Sequence, residues 1–168
     1  MFGLLSIAFR SYFLPILILS ALPFGFGGAV VGHIIFGKGL SMISYWGIGA
    51  ACGVVVNDNL VLVDNINRLK SSGKHILECI VESGVTRFRP IVITSITTFV
   101  GLMPMMLEPS VQANFLKPAV ISLSFGVALS SSVTLILVPC LYLIGDDIRN
   151  YISQIKETSK RQISKIST

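Results

Sequence analysis

The chain has 168 residues, of which 52% are hydrophobic and 12% charged, with a net charge of +5. A soluble domain carries about 25% charged residues, so this composition excludes an ordinary globular core and points to a membrane protein. The basic excess does not imply nucleic acid, because the cations flank apolar segments, where a membrane protein concentrates them. The cysteines Cys52, Cys79 and Cys140 form neither a CxxC pair nor a zinc spacing, and read as small apolar filler.

Residues 1–10 are apolar up to Arg10 and too short to cross a bilayer, which takes about 20 residues. A signal peptide places its basic residues before the apolar run, and here the order is reversed. The stretch therefore reads as the end of a truncated transmembrane helix. The first full span covers about residues 12–37 and contains Pro15 and Pro23. Membrane helices tolerate proline when neighbours satisfy the freed backbone groups. Gly28 and Gly32 form a small-xxx-small face, which lets another helix approach closely. His33 sits at the end of this span, with no acid beside it in sequence, and reads as a boundary residue.

The second span covers about residues 42–66, with Tyr45 and Trp46 as an interfacial belt at its start. Gly49 and Gly53 form another small face, and at 3.6 residues per turn Asn57 continues it with Asp58 adjacent. Asp58 is the most informative residue of the chain. From Gly39 to Asn57 there is no charged residue, and the apolar run resumes after it to Val63. A carboxylate at mid-bilayer costs at least ~2.5–3.5 kcal/mol, so it is rare unless something uses it. The face it borders is expected to meet a tightly packed helix. Asp64, near the end of the span, reads as interfacial.

Residues 68–89 form a polar, basic loop with one short amphipathic helix over about 74–83, where Lys74 and Glu78 make an i,i+4 pair. Pro90 is expected to open the third span, about residues 90–107, in the position proline favours. Its Thr94, Thr98 and Gly101 line one stripe, although threonine can simply bond its own helix backbone. The fourth span, about residues 118–144, carries Ser122, Gly126 and Ser130 as a close-packing face. Residues 146–168 form a basic, solvated tail. The expected architecture is thus an all-α membrane bundle, residues 12–145, of four complete transmembrane helices plus the end of a fifth. Eleven of the thirteen Lys and Arg residues fall on the side of Arg10, the 68–89 loop and the tail; only Lys38 and Lys117 face the other way. The richer side is expected to be cytoplasmic, with the C-terminus.

Phe9-Arg10-Ser11-Tyr12, Ala21-Leu22-Pro23-Phe24-Gly25, the run Gly53 to Asp64, Arg87-Phe88-Arg89-Pro90-Ile91, Thr94-Ser95 and Gly101-Leu102-Met103-Pro104 occur in this order. Together they resemble the C-terminal end of resistance-nodulation-division (RND) efflux permeases of the AcrB/AcrD/AcrF type. The resemblance runs from Leu4 to Leu143 and makes the four spans the last four of twelve. It implies proton-driven export of drugs and other amphiphiles by a homotrimer in the bacterial inner membrane, working with a periplasmic adaptor and an outer-membrane channel. It also implies a proton relay in which two acids on the fourth helix meet a lysine on the tenth and an arginine and a threonine on the eleventh.

By motif, Arg87 and Thr94 take the eleventh-helix positions and Asn57 takes that of the lysine. Asn57 is a departure, because an amide supplies no positive charge. Asp58 beside it makes this helix resemble the acid-bearing helix of the other half, as an internal repeat allows. The fourth-helix acids and the large periplasmic loops are not among these residues, so the chain is not expected to transport alone. Two other readings stand beside this one: a non-transporting membrane remnant or structural fragment that only associates with other helices, and a small proton channel built on Asp58. No nucleophile–base pair, metal cluster, cofactor motif or nucleotide loop appears, so the chain does not read as an enzyme.

Overall fold

The structure is a computed structural model. It describes the backbone of residues 2–9, 11–73 and 75–166 and the side chains of 2–7, 9, 11–73 and 75–148. Arg10 and Lys74, and with Lys74 its proposed pair to Glu78, lie outside the described residues, as do the side chains of residues 149–168 in the basic tail.

The described residues form six helices: α1 (Phe2–Phe9), α2 (Phe13–Leu19), α3 (Leu22–Ile35), α4 (Met42–Ser71), α5 (Ile76–Leu107) and α6 (Val111–Ile166). Among the described residues, four segments are long and apolar enough to cross a membrane: Phe13–Ile35, Met42–Ser71, Ile76–Leu107 and Val111–Ile148. The chain is an all-α, multi-pass membrane protein. Helix α6 is its centre, packing more extensively against α3, α4 and α5 than these pack against one another.

Two boundaries differ from the sequence expectation. The first span is two helices, α2 and α3, broken at Ser20 and Ala21. Pro23 stands in the first turn of α3 and has no N–H to continue α2 through the junction. The Ser20 hydroxyl donates to Leu17 O at 2.7 Å and satisfies one carbonyl freed there. The second difference is in α5. The expected loop helix and the third span are a single helix from Ile76 to Leu107, and Pro90 lies inside it instead of opening it. A proline inside a helix removes one hydrogen bond, here the one to Thr86 O, which a membrane helix tolerates. Thr86 Oγ1 donates to Glu82 O at 2.7 Å and Thr94 Oγ1 to Pro90 O at 2.9 Å, one turn on either side.

Helix α4 begins with a capping box, in which Ser41 and Ser44 each receive the other's backbone N–H. The turn before it is clamped by His33, which is buried. His33 Nδ1 lies 2.9 Å from Ala29 O and Nε2 lies 2.8 Å from Ser44 Oγ. A carbonyl only accepts, so Nδ1 carries the proton, and in the neutral ring Nε2 accepts from the Ser44 hydroxyl. The boundary histidine therefore ties the end of α3 to the start of α4.

Two apolar clusters close the bundle. One joins Leu17 and Ile18 of α2, Val56, Leu62, Val63 and Ile66 of α4, and Val138 and Tyr142 of α6. The other, near the α3–α4 and α5–α6 turns, has Met106, Val120 and Ile121 at its centre. There Phe125 meets Phe36 and Phe99 edge to face, with ring centroids 6.0 and 5.2 Å apart. In a bilayer, lipid is as apolar as leucine, so close packing and hydrogen bonds hold such helices together.

Candidate functional site

Helix α4 has two unlike faces. Ser44, Gly47, Ile48, Ala51, Val55, Asn59, Leu62, Val63 and Ile66 are buried and recur at helical spacing. Gly47 makes the closest approach: a Cβ placed there would strike the carbonyl of Ala119 on α6. Ala51 meets Gly126 of α6, whose added Cβ would lie 3.1 Å from the Ala51 side chain and 3.1 Å from Gly25 O. On α3, a Cβ at Gly28 would meet the Phe125 backbone and one at Gly32 would overlap the Phe125 ring. Gly28, Gly32 and Gly126 thus lie at helix contacts.

Gly49 and Gly53 do not. No atom lies within 4 Å of a Cβ added at either position, and Gly49, Asn57 and Asp64 are exposed. The glycine pair expected to seat a neighbour is open in this chain, and Gly47 with Ala51, on the opposite side of the helix, makes the contact instead. Both pairs have the same four-residue spacing, so the sequence does not say which one a partner within the chain uses.

Asp58 lies on the flank of the packed stripe. It is half-buried, and its Oδ2 is buried with no hydrogen-bond partner among the described residues. Arg87 on α5 is also half-buried, with a buried and unpartnered Nε. Thr94 stands about two turns further along α5, its hydroxyl taken by Pro90 O. Among the described residues no hydrogen bond or ion pair joins Asp58, Asn57, Arg87 and Thr94 to one another. Asp58 and Arg87 each keep a buried polar atom with no hydrogen-bond partner among the described residues, and the Asn57 amide is exposed on α4.

Three polar features of the packed side carried no clear signal in the sequence. Asn59, fully buried, donates from Nδ2 to Ile18 O at 3.1 Å. Tyr142 OH donates to Asn67 Oδ1 at 2.5 Å, and Lys70 pairs with Asp146. All three join residues at least 41 positions apart, beyond the reach of a local spacing rule. No group of three His, Cys, Asp or Glu side chains that could hold a metal ion occurs among the described residues.

Comparison with known proteins gives the same direction at every level. Residues 1–146 match the AcrB/AcrD/AcrF family. The chain is 31% identical over 157 residues to the multidrug resistance protein MdtC of Proteus mirabilis (strain HI4320), a match covering 93% of this chain and 15% of that protein. Two crystal forms of a heavy metal efflux pump share its fold. Form I has TM-score 0.70 and 29% identity over 77% of this chain and 13% of the pump; form II has TM-score 0.74 and 28% identity over 85% and 14%. The chain therefore spans about a seventh of the length of the relatives it matches. With the family match over residues 1–146 and a relative 31% identical over 93% of the chain, the chain belongs to the AcrB/AcrD/AcrF family of RND transporters.

Proposed function

We propose that this chain is the C-terminal transmembrane bundle of a proton-driven RND permease that exports drugs or similar amphiphiles, and that it acts as part of the complete transporter. Membership of a transporter family supports the broad function. Asp58 carries the finer reading: a half-buried carboxylate in an apolar span, with Oδ2 unpartnered and an open face on the same helix. On this reading the relay consists of Asp58, Arg87 and Thr94, with Asn57 in the lysine position, and the acid-bearing helix of the other half covers the face of Gly49, Gly53 and Asn57.

The charged form of Asp58 is costly in the span unless a cation meets it. Arg87 has an unused buried donor and is the candidate counter-charge. Taking up a proton removes the charge on Asp58 and releases Arg87, so that α4 and α5 repack against each other. Binding a proton from outside and releasing it to the cytosol couples this repacking to export. On this reading the transporter sits in the bacterial inner membrane, as the family resemblance implies, with its C-terminus in the cytosol, the side that the distribution of Lys and Arg favours. A homotrimer, a periplasmic adaptor and an outer-membrane channel complete the assembly, as the family resemblance implies.

The test is Asp58→Asn in the complete permease, reconstituted in vesicles with an imposed proton gradient. Gradient-driven export of a fluorescent amphiphilic dye is expected to fall by about 100-fold or more, because the variant keeps the shape and loses the titrating group. Unchanged export would remove Asp58 from the relay. An antibody to the 156–167 tail, applied to source membranes, separates this reading from a stand-alone remnant: the permease gives a band several times the 18.1 kDa of this chain.

A further inference from the structure

The break in the first span is bonded to the helix that carries Asp58. Ile18 lies in the last turn of α2, where a helix leaves its carbonyls without partners. Its carbonyl oxygen receives Asn59 Nδ2 from α4, and both residues are fully buried. The other positions of that stripe of α4 are mostly apolar or small, so a leucine or valine there would fit the pattern. An amide in this place is costly unless each of its groups is bonded. Only one is: Oδ1 of Asn59 is buried without a partner.

A second unsatisfied group stands at its level on α6. Helices α4 and α6 run side by side in a fixed register, since Ala51 meets Gly126 near one end and Asn67 meets Tyr142 near the other. The two contacts are equally spaced along both helices. Asn59 is midway between its pair and Thr134 midway between the other, so the two stand at the same level. Thr134 is buried, and its hydroxyl also has no partner. A hydroxyl donor and an amide acceptor at one level, unbonded in this arrangement, suit a second arrangement in which they meet.

We infer that Asn59 is a positioning residue that latches the α2–α3 break to α4, and that a rotation of α4 against α6 brings its free oxygen onto the Thr134 hydroxyl. The Nδ2 bond to Ile18 persists through the rotation, so movement that begins beside Asp58 is delivered to the broken span. This rests on the relay reading for the source of the movement.

The test uses the complete permease in proteoliposomes, spin-labelled at Ile16 and Ile34, which are exposed on either side of the break. The distance between labels is measured with and without an imposed proton gradient, alongside dye export. The gradient is expected to change the distance. Asn59→Ala is expected to abolish the change and lower maximal export roughly tenfold, with KM within about twofold. Thr134→Val, which leaves the Ile18 bond intact, is expected to abolish the change as well. A full distance change in Asn59→Ala overturns the inference. If that variant does not fold, Thr134→Val decides, and a full change there overturns it. Asp58→Asn in the same assay separates the two readings. If it keeps the change, the relay reading fails. If it alone loses the change, only the latch fails.

Discussion

The two faces of α4 are built from similar material and meet different fates. On one, Gly47 and Ala51 admit the backbone of α6 and are buried; on the other, Gly49 and Gly53 meet nothing within 4 Å. Small residues are therefore permission for contact, and a neighbour must be there to use it. The closed face also carries the bonded polar groups, such as Asn59 to Ile18 and Asn67 to Tyr142. The open face carries Asn57 and Asp64, both exposed. Polar side chains on a membrane span normally face a bundle interior or a water-filled cavity, and the open face fits that rule once another helix lies over it.

Three substitutions sharpen this contrast, read as the stability of the chain in detergent. The largest effect is expected at Gly47→Ala, because the new methyl meets the Ala119 backbone, which cannot swing aside. Overpacking of this kind costs about 1–3 kcal/mol, and a lower melting temperature checks it. A Gly47→Ala variant as stable as the parent would break the distinction between the faces. His33→Ala comes next, at about 1–2 kcal/mol, since it removes the ring that bridges Ala29 O and Ser44 Oγ. Limited proteolysis in the 36–41 turn is expected to speed up with it, and unchanged cleavage would count against the clamp. The smallest is Gly49→Ala, which meets open space and improves helix propensity. It is expected to leave the chain unchanged or more stable by up to about 1 kcal/mol. Repeating Gly49→Ala and Gly53→Ala in the complete permease gives the sharper form of the comparison. Loss of export there, with no loss of stability here, locates an occupant on the open face.

Much of the architecture was legible in the sequence because the rules behind it are local. Twenty apolar residues bounded by charge make a span wherever they occur, and all four spans follow from that. The failures arose where a local sign has two outcomes. Pro90 reads equally as a helix start or as an interior residue whose lost bond is tolerated, and in α5 it is the second. Pro23 reads as tolerated or as a breaker, and with Ser20 and Ala21 before it the helix breaks. In the site, Asp58 stood out because one charge in an apolar run is conspicuous by itself. Asn59 was hidden in the same run, since its partner carbonyl belongs to a backbone break the sequence did not announce.

The continuity of α5 has a mechanical consequence. At 1.5 Å per residue its 32 residues make a rod of about 48 Å, against a hydrocarbon core of about 30 Å. Its first turns therefore project beyond the apolar layer as a handle, and Arg87 sits where that handle enters. A push on the region around Ile76–Ser83 becomes a tilt of the whole rod, with Pro90 as the weakest point along it. Anything that grips this end has leverage on Arg87, the counter-charge proposed for Asp58.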